Sequence, residues 1–147
     1  MYSKSELKEI KKDFWTSFGQ FSQLKRSRLG YPKKWMLYRT KLKGLELKFG
    51  FNNNKCITAI EIDLSISKSE DYISKIKLLK NEISHLSTYS LHSEYIQENN
   101  KTVYRFFFEK DKLTLKDKSH WPDIFNFFFE QMIILEQFII ENKIILE

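Results

Sequence analysis

The sequence predicts an α+β domain: a mainly antiparallel sheet of five to six strands with three helices, in the order α-β-β-β-α-β-β-(β)-α. Three observations lead there. Three segments repeat apolar residues every three or four positions, the period of an amphipathic helix. Between them, other segments alternate apolar and polar residues, the period of a strand with one face wet or lightly covered. Only 4 Gly and 2 Pro among 147 residues imply long elements joined by short loops. The length suits a single domain spanning residues 1–147, with no linker or repeat to divide it.

The first helix is predicted over Lys4–Phe21. Ser3 and Glu6 have the spacing of a capping box, and Leu7, Ile10, Phe14, Phe18 and Phe21 form its stripe. A basic loop follows, punctuated by Gly30 and Pro32. Trp35–Thr40 reads as a short aromatic strand. Leu45–Phe51 and Cys56–Leu64 alternate cleanly around an Asn52-Asn53-Asn54 turn. A second helix is expected over Glu70–Tyr89, capped by Ser67 with Glu70 or by Ser69, with Tyr72, Ile73, Ile76, Leu79, Ile83 and Leu86 buried. Two strands follow, Leu91–Gln97 and Thr102–Glu109, joined by a Glu98-Asn99-Asn100-Lys101 turn, with a further short strand at Leu113–Leu115. The last helix starts at Trp121-Pro122-Asp123 and runs to Lys143. It is apolar most of the way round, so more than one face needs cover. The sheet supplies one side. The first helix or a second copy must supply the other, and a homodimer through Phe125, Phe129, Ile133 and Ile140 is the expectation.

The charge is unevenly placed. The net +6 includes 21 Lys to 4 Arg, a ratio that A/T-biased codon usage alone produces. Its position is more informative. Residues 1–55 hold 14 Lys/Arg and 4 Asp/Glu, and residues 56–147 hold 11 and 15. No acid lies between Phe14 and Leu45, a stretch containing Lys25, Arg26, Arg28, Lys33, Lys34, Arg39, Lys41 and Lys43. With Tyr31, Trp35 and Tyr38 interleaved, this has the composition of a phosphate-backbone surface with stacking groups. The plainer reading is a solvated loop with its aromatics in the core.

The polar strand face is the other candidate. Glu46, Lys48, Glu61 and Asp63 share a surface if their strands pair, and Arg39 and Arg105 are possible neighbours. Carboxylates and a lysine so placed can hold Mg²⁺ and position water for phosphodiester cleavage. The order helix, three strands, helix, strand resembles the α/β core of restriction-endonuclease-like nucleases. That resemblance implies an acid on one strand and Glu/Asp-x-Lys on the next. Glu46-Leu47-Lys48 lacks the preceding acid, and Glu61-Ile62-Asp63 ends in Asp rather than Lys. Cross-strand ion pairs are the plainer account.

Other chemistries find little support. Cys56 is the only cysteine, so no internal disulfide can form, and it reads as a small buried residue. His85, His92 and His120 have no metal-ligand spacing with it. No metal or cofactor is expected outside the nuclease alternative. No export signal or membrane span is visible, which makes the cytoplasm the expected location.

The chain as a whole resembles an uncharacterised prokaryotic family, domain of unknown function 4268. The resemblance rests on Tyr2-Ser3-Lys4 with Phe14-Trp15-Thr16-Ser17-Phe18-Gly19-Gln20, on Trp35-x-x-Tyr38-x-Thr40, and on Ala59-Ile60-Glu61-Ile62. It extends to Trp121-Pro122-Asp123-Ile124 with Phe127-Phe128, and to Ile133-Ile134-Leu135-Glu136-Gln137-Phe138. It implies one domain and brings no activity, although relatives joined to nuclease-like domains point toward DNA. The Lys25–Lys34 run is particular to this sequence. The leading expectation is a non-catalytic binding and assembly domain that presents residues 25–43 to nucleic acid or another polyanion. The alternatives are a divergent metal-dependent nuclease and a structural partner in a larger complex.

Overall fold

The computed structural model describes residues 2–147. Helix α1 (Lys4–Arg28) leads into strands β1 (Leu45–Asn52) and β2 (Lys55–Asp63). Helices α2 (Ser69–Leu78) and α3 (Lys80–Leu86) follow, then strands β3 (His92–Glu98) and β4 (Lys101–Asp111). A short 3₁₀ turn, Lys118–His120, opens helix α4 (Trp121–Glu141), and α5 (Lys143–Leu146) ends the chain. The fold is α+β, with one four-stranded sheet in the order β1-β2-β4-β3 and every neighbouring pair antiparallel. Only two strands precede the second helix and no pair is parallel, so the order helix, three strands, helix, strand of the restriction-endonuclease-like alternative is not met.

The capping box of α1 forms as expected: Glu6 N–H donates to Ser3 Oγ (3.2 Å), and Ser3 N–H to Glu6 Oε1 (3.4 Å). Both hairpin turns fall where the Asn runs placed them. Asn99 and Asn100 both take positive φ (50° and 64°), the backbone of a type I′ turn, which Asn tolerates better than most residues.

Several expected elements differ. Trp35–Thr40 is not a strand. Its backbone groups go elsewhere: Met36 N–H donates to the Glu136 carboxylate (3.0 Å), and Leu37 O accepts from Leu47 N–H (3.0 Å). Leu113–Leu115 also forms no strand, and Leu115 O is taken by Trp121 Nε1 (2.7 Å). The sheet therefore has four strands, not five or six. The expected second helix resets at Leu79 (φ −93°, ψ 3°) into α2 and α3, and the side chains expected to cap α2 make no cap hydrogen bond. With α5, this gives five helices among the described residues rather than three. Helix α1 runs two turns past Phe21.

The register puts the apolar halves of the strands on one face. Leu45, Leu47, Phe49 and Phe51 stand opposite Ile62, Ile60, Thr58 and Cys56, and the same face continues through Tyr104, Phe106 and Phe108. Helices α1, α2 and α4 pack here in one core with Phe14, Phe18, Ile76, Phe128, Met132 and Leu135. Sheet, α1 and α3 cover the several apolar sides of α4 within one chain. Full burial of each such Phe or Leu is worth about 1.5–3 kcal/mol. The far face of the sheet holds only a small buried cluster, Ile57, Ala59 and Phe107. No helix among the described residues is long and apolar enough to cross a membrane.

Candidate functional site

The basic segment begins on α1, not in a loop. Phe14, Phe18, Ser22 and Arg26 recur every four residues and all are buried, so the inner stripe of α1 ends on a guanidinium. Arg26 is 1% exposed. Its Nη1 donates to Glu136 Oε1 on α4 (2.9 Å), its Nε to Pro32 O (2.5 Å) and its Nη2 to Lys34 O (3.3 Å). Its guanidinium also lies 4.1 Å from the centre of the Trp35 ring. The second Glu136 oxygen takes the Met36 N–H. One buried ion pair thus fastens residues 32–36 to the core. Arg26 is a structural clamp and is corrected out of the expected phosphate-binding set.

Lys25 is also partly withdrawn, with its Nζ 4.8 Å from the Phe129 ring centre and 5.5 Å from that of Phe21. The remaining six of the eight expected cations are different. Arg28, Lys33, Lys34, Arg39, Lys41 and Lys43 are exposed. None of the six is ion-paired among the described residues. The end of the segment is held as firmly as its start. Buried Thr40 donates through Oγ1 to Leu45 O (2.9 Å) and accepts from Leu42 N–H (3.2 Å). Gly44 follows at φ +83°, a conformation open to glycine.

The residues expected at a dimer interface are mostly used within the chain. Phe129 is buried against Trp35, with ring centres 5.3 Å apart. Phe125 packs against Phe14, Phe18 and Phe21 at 5.3–5.6 Å. Ile133 is half-buried, and Ile140 alone is exposed, at 47%.

Glu46, Lys48, Glu61 and Asp63 do share the far face of the sheet, with Glu46 directly opposite Glu61 and Glu61 opposite Arg105. Arg39 does not join them; it lies in the loop before β1. Glu46, Glu61 and Asp63 border one small hollow together with Lys101, and Lys48 lies outside it. Lys48 Nζ lies 3.7 Å from Glu61 and bonds Glu98. Arg105 pairs with Glu94 (2.5 Å). Asp63 turns to Ser65, accepting from its N–H (2.9 Å) and Oγ (2.8 Å), which lowers its carboxyl below the usual range. Burial pushes Glu61 upward, against the pull of Lys48 and Arg105. No group of three His, Cys, Asp or Glu side chains among the described residues can hold a metal ion. Of the four, Lys48 pairs with Glu61 and Glu98 and Asp63 lies 3.8 Å from Lys101, while Glu46 makes no ion pair among the described residues.

Cys56 is buried, and desolvation pushes its thiol up to about 12, which leaves little thiolate at neutral pH. Of the histidines, His85 and His92 are exposed, while His120 Nδ1 accepts from Thr114 N–H (3.1 Å).

Residues 10–143 match a family model described as Domain of unknown function (DUF4268). The chain belongs to this family. The match takes in all four strands, all of α4 and most of α1, so the clamp and the basic segment both fall inside it. No curated protein and no solved structure matches the chain.

Two features escape a reading of sequence alone. The Arg26–Glu136 pair joins residues 110 apart in the chain. Its signal was the four-residue spacing that continues through Ser22 to Arg26. The second feature is a hollow at the edge of β1, where Trp15, Trp35, Tyr38 and Phe49 come together from three separate segments.

Proposed function

We propose that this DUF4268 domain binds nucleic acid through the phosphate backbone, using Arg28, Lys33, Lys34, Arg39, Lys41 and Lys43. The observation that carries this reading is the six exposed cations, none ion-paired among the described residues, on a segment fixed at both ends. An unpaired surface cation keeps its charge for a phosphate, whereas one already in an ion pair must exchange a partner. A fixed backbone also lowers the ordering cost of binding. Four of the six are lysines, which act as point charges and position a backbone without reading bases. Glu46, Lys48, Glu61 and Asp63 have no part in it: Lys48, Glu61 and Asp63 are ion-paired, and Glu46, opposite Glu61, adds only negative charge.

Fluorescence anisotropy with a labelled oligonucleotide at low salt tests the proposal. Binding that weakens steeply with salt supports it, and no binding at low salt contradicts it. Changing Lys33, Lys34, Arg39, Lys41 and Lys43 to Gln should remove most of the affinity. Lys8, Lys11 and Lys12 to Gln, exposed near the start of α1, remove charge away from the segment and serve as the control.

Assembly rests on a smaller surface than first expected. Ile140 and, one turn on, Ile144 are exposed at 47% and 88%. We infer weak pairing through these residues. Light scattering at micromolar concentration should show a dimer that Ile140→Glu dissolves; a monomeric wild type contradicts it.

A further inference from the structure

The hollow at the edge of β1, of about 300 Å³, opens between α1, residues 35–38 and β1. We propose that it takes one unstacked base of a single-stranded nucleic acid, an inference that rests on the backbone-binding reading above. Its walls are aromatic. Trp15 is 38% exposed and stacks on Phe128 with ring planes 4° apart, and Tyr38 is 73% exposed at the rim. Trp35 and Phe49 add further rings to the lining. Trp and Tyr rings held open to solvent are the platforms on which bases stack, since every base has a π face.

Three further observations favour a base over other planar or apolar guests. The Trp35 Nε1 is buried and has no hydrogen-bond partner among the described residues. A buried donor left unpaired costs about 1–3 kcal/mol, a cost that an acceptor on a guest offsets if the hollow opens to it. Gly19 sits on the α1 side of the hollow, and a Cβ built there meets nothing within 4 Å. Glycine inside a helix costs about 1 kcal/mol relative to alanine, and here its missing side chain leaves the hollow open.

The third observation is charge. A neighbouring hollow of about 310 Å³ shares Tyr38 and is lined by Lys41 and Lys43 against a single acid, Glu46. A ring over Tyr38 therefore has cations within one residue's reach for its own phosphate. The aromatic hollow has Lys48 and no acid in its lining, and Arg26 already occupies a face of Trp35. An organic cation, the other guest of aromatic cages, meets like charge there. A planar ring attached to an anion meets the complementary charge.

The test compares three probes on the full chain by anisotropy and competition: a single-stranded oligonucleotide, the same strand made abasic, and inorganic polyphosphate. Gly19→Leu puts a side chain on the hollow from a position where a Cβ meets nothing within 4 Å, in a residue type that favours helix. Tyr38→Ala removes an exposed ring, so folding is not at issue. Each variant should weaken oligonucleotide binding by about 5- to 150-fold, the factor that corresponds to one stacked base. Neither should change polyphosphate binding. The wild type should prefer the strand with bases to the abasic one. Equal affinity for those two strands, or variants that bind the oligonucleotide as the wild type does, overturns the base pocket and leaves backbone binding standing. A wild type that binds neither oligonucleotide nor polyphosphate overturns both.

Discussion

Replacing Glu136 by leucine strands Arg26. The guanidinium is 1% exposed and its remaining partners are two carbonyl oxygens, Pro32 O and Lys34 O, which cannot neutralise it. Removing one member of a buried ion pair typically costs about 3–5 kcal/mol, because the other is left as an uncompensated charge. Arg26→Met has the same logic in reverse: Glu136 keeps only the Met36 N–H. For a chain of this size each single change should lower Tm by roughly 6–20 °C. The double variant Arg26→Met/Glu136→Leu removes both charges and fills the space with apolar atoms. It loses the side-chain partners of three backbone groups, at about 1 kcal/mol each where water does not replace them. It should therefore lie about 1–3 kcal/mol below the wild type, far from the sum of the singles. Urea denaturation followed by far-UV circular dichroism gives the four stabilities, and exchange of the Met36 amide hydrogen reports release of the segment. Single variants that cost under about 1 kcal/mol, or a double variant equal to the sum, would refute the clamp.

Three further outcomes follow from the geometry. Gly44→Ala should destabilise the domain by about 2–3 kcal/mol, since φ is +83° and a Cβ would lie 2.6 Å from Ile66 Cγ1; a neutral result in thermal melts contradicts that backbone. Burial raises the Glu61 carboxyl, so the folded state holds a proton that the unfolded chain has already lost. Stability then falls as pH rises from the ordinary glutamate value through the raised one. Glu61→Gln should remove that fall, with Lys48 still paired to Glu98; identical pH profiles for the two proteins contradict it. Cys56, with its thiol pushed up to about 12, should resist a thiol reagent at neutral pH until urea unfolds the chain, and fast labelling of the native protein contradicts its burial.

Period-two and period-four patterns made most of the fold legible. Leu45, Leu47, Phe49 and Phe51 lie on one face as alternation requires, and the Asn99-Asn100 turn is where its residue types place it. The failures have one cause. Trp35–Thr40 has the composition of a strand, but its backbone is claimed by Glu136 and by a single bond to β1, long-range partners that no local pattern encodes. Arg26 was misplaced for the same reason. Its charge suggests a surface, and only its place four residues after Ser22 in the buried stripe of α1 says otherwise. The over-apolar α4 needs cover on more than one side, and α1 gives it on one through Phe21 and Lys25 against Phe129. The charge asymmetry survives with fewer cations, six exposed of the eight in the acid-free window. The aromatic hollow was beyond reach, since it needs Trp15, Trp35 and Phe49 brought together from three elements.

The salt dependence of nucleic-acid affinity tests the central claim most directly. Plotting log Kobs for a single-stranded oligonucleotide against log salt should give a steep negative slope. A surface engaging four to six phosphates predicts a slope of about −3 to −4. Each of Lys33, Lys34, Arg39, Lys41 and Lys43 changed to Gln should make the slope shallower by up to about one, while Lys8→Gln leaves it unchanged. A slope near zero, or one that the five substitutions leave intact, would contradict binding through this surface.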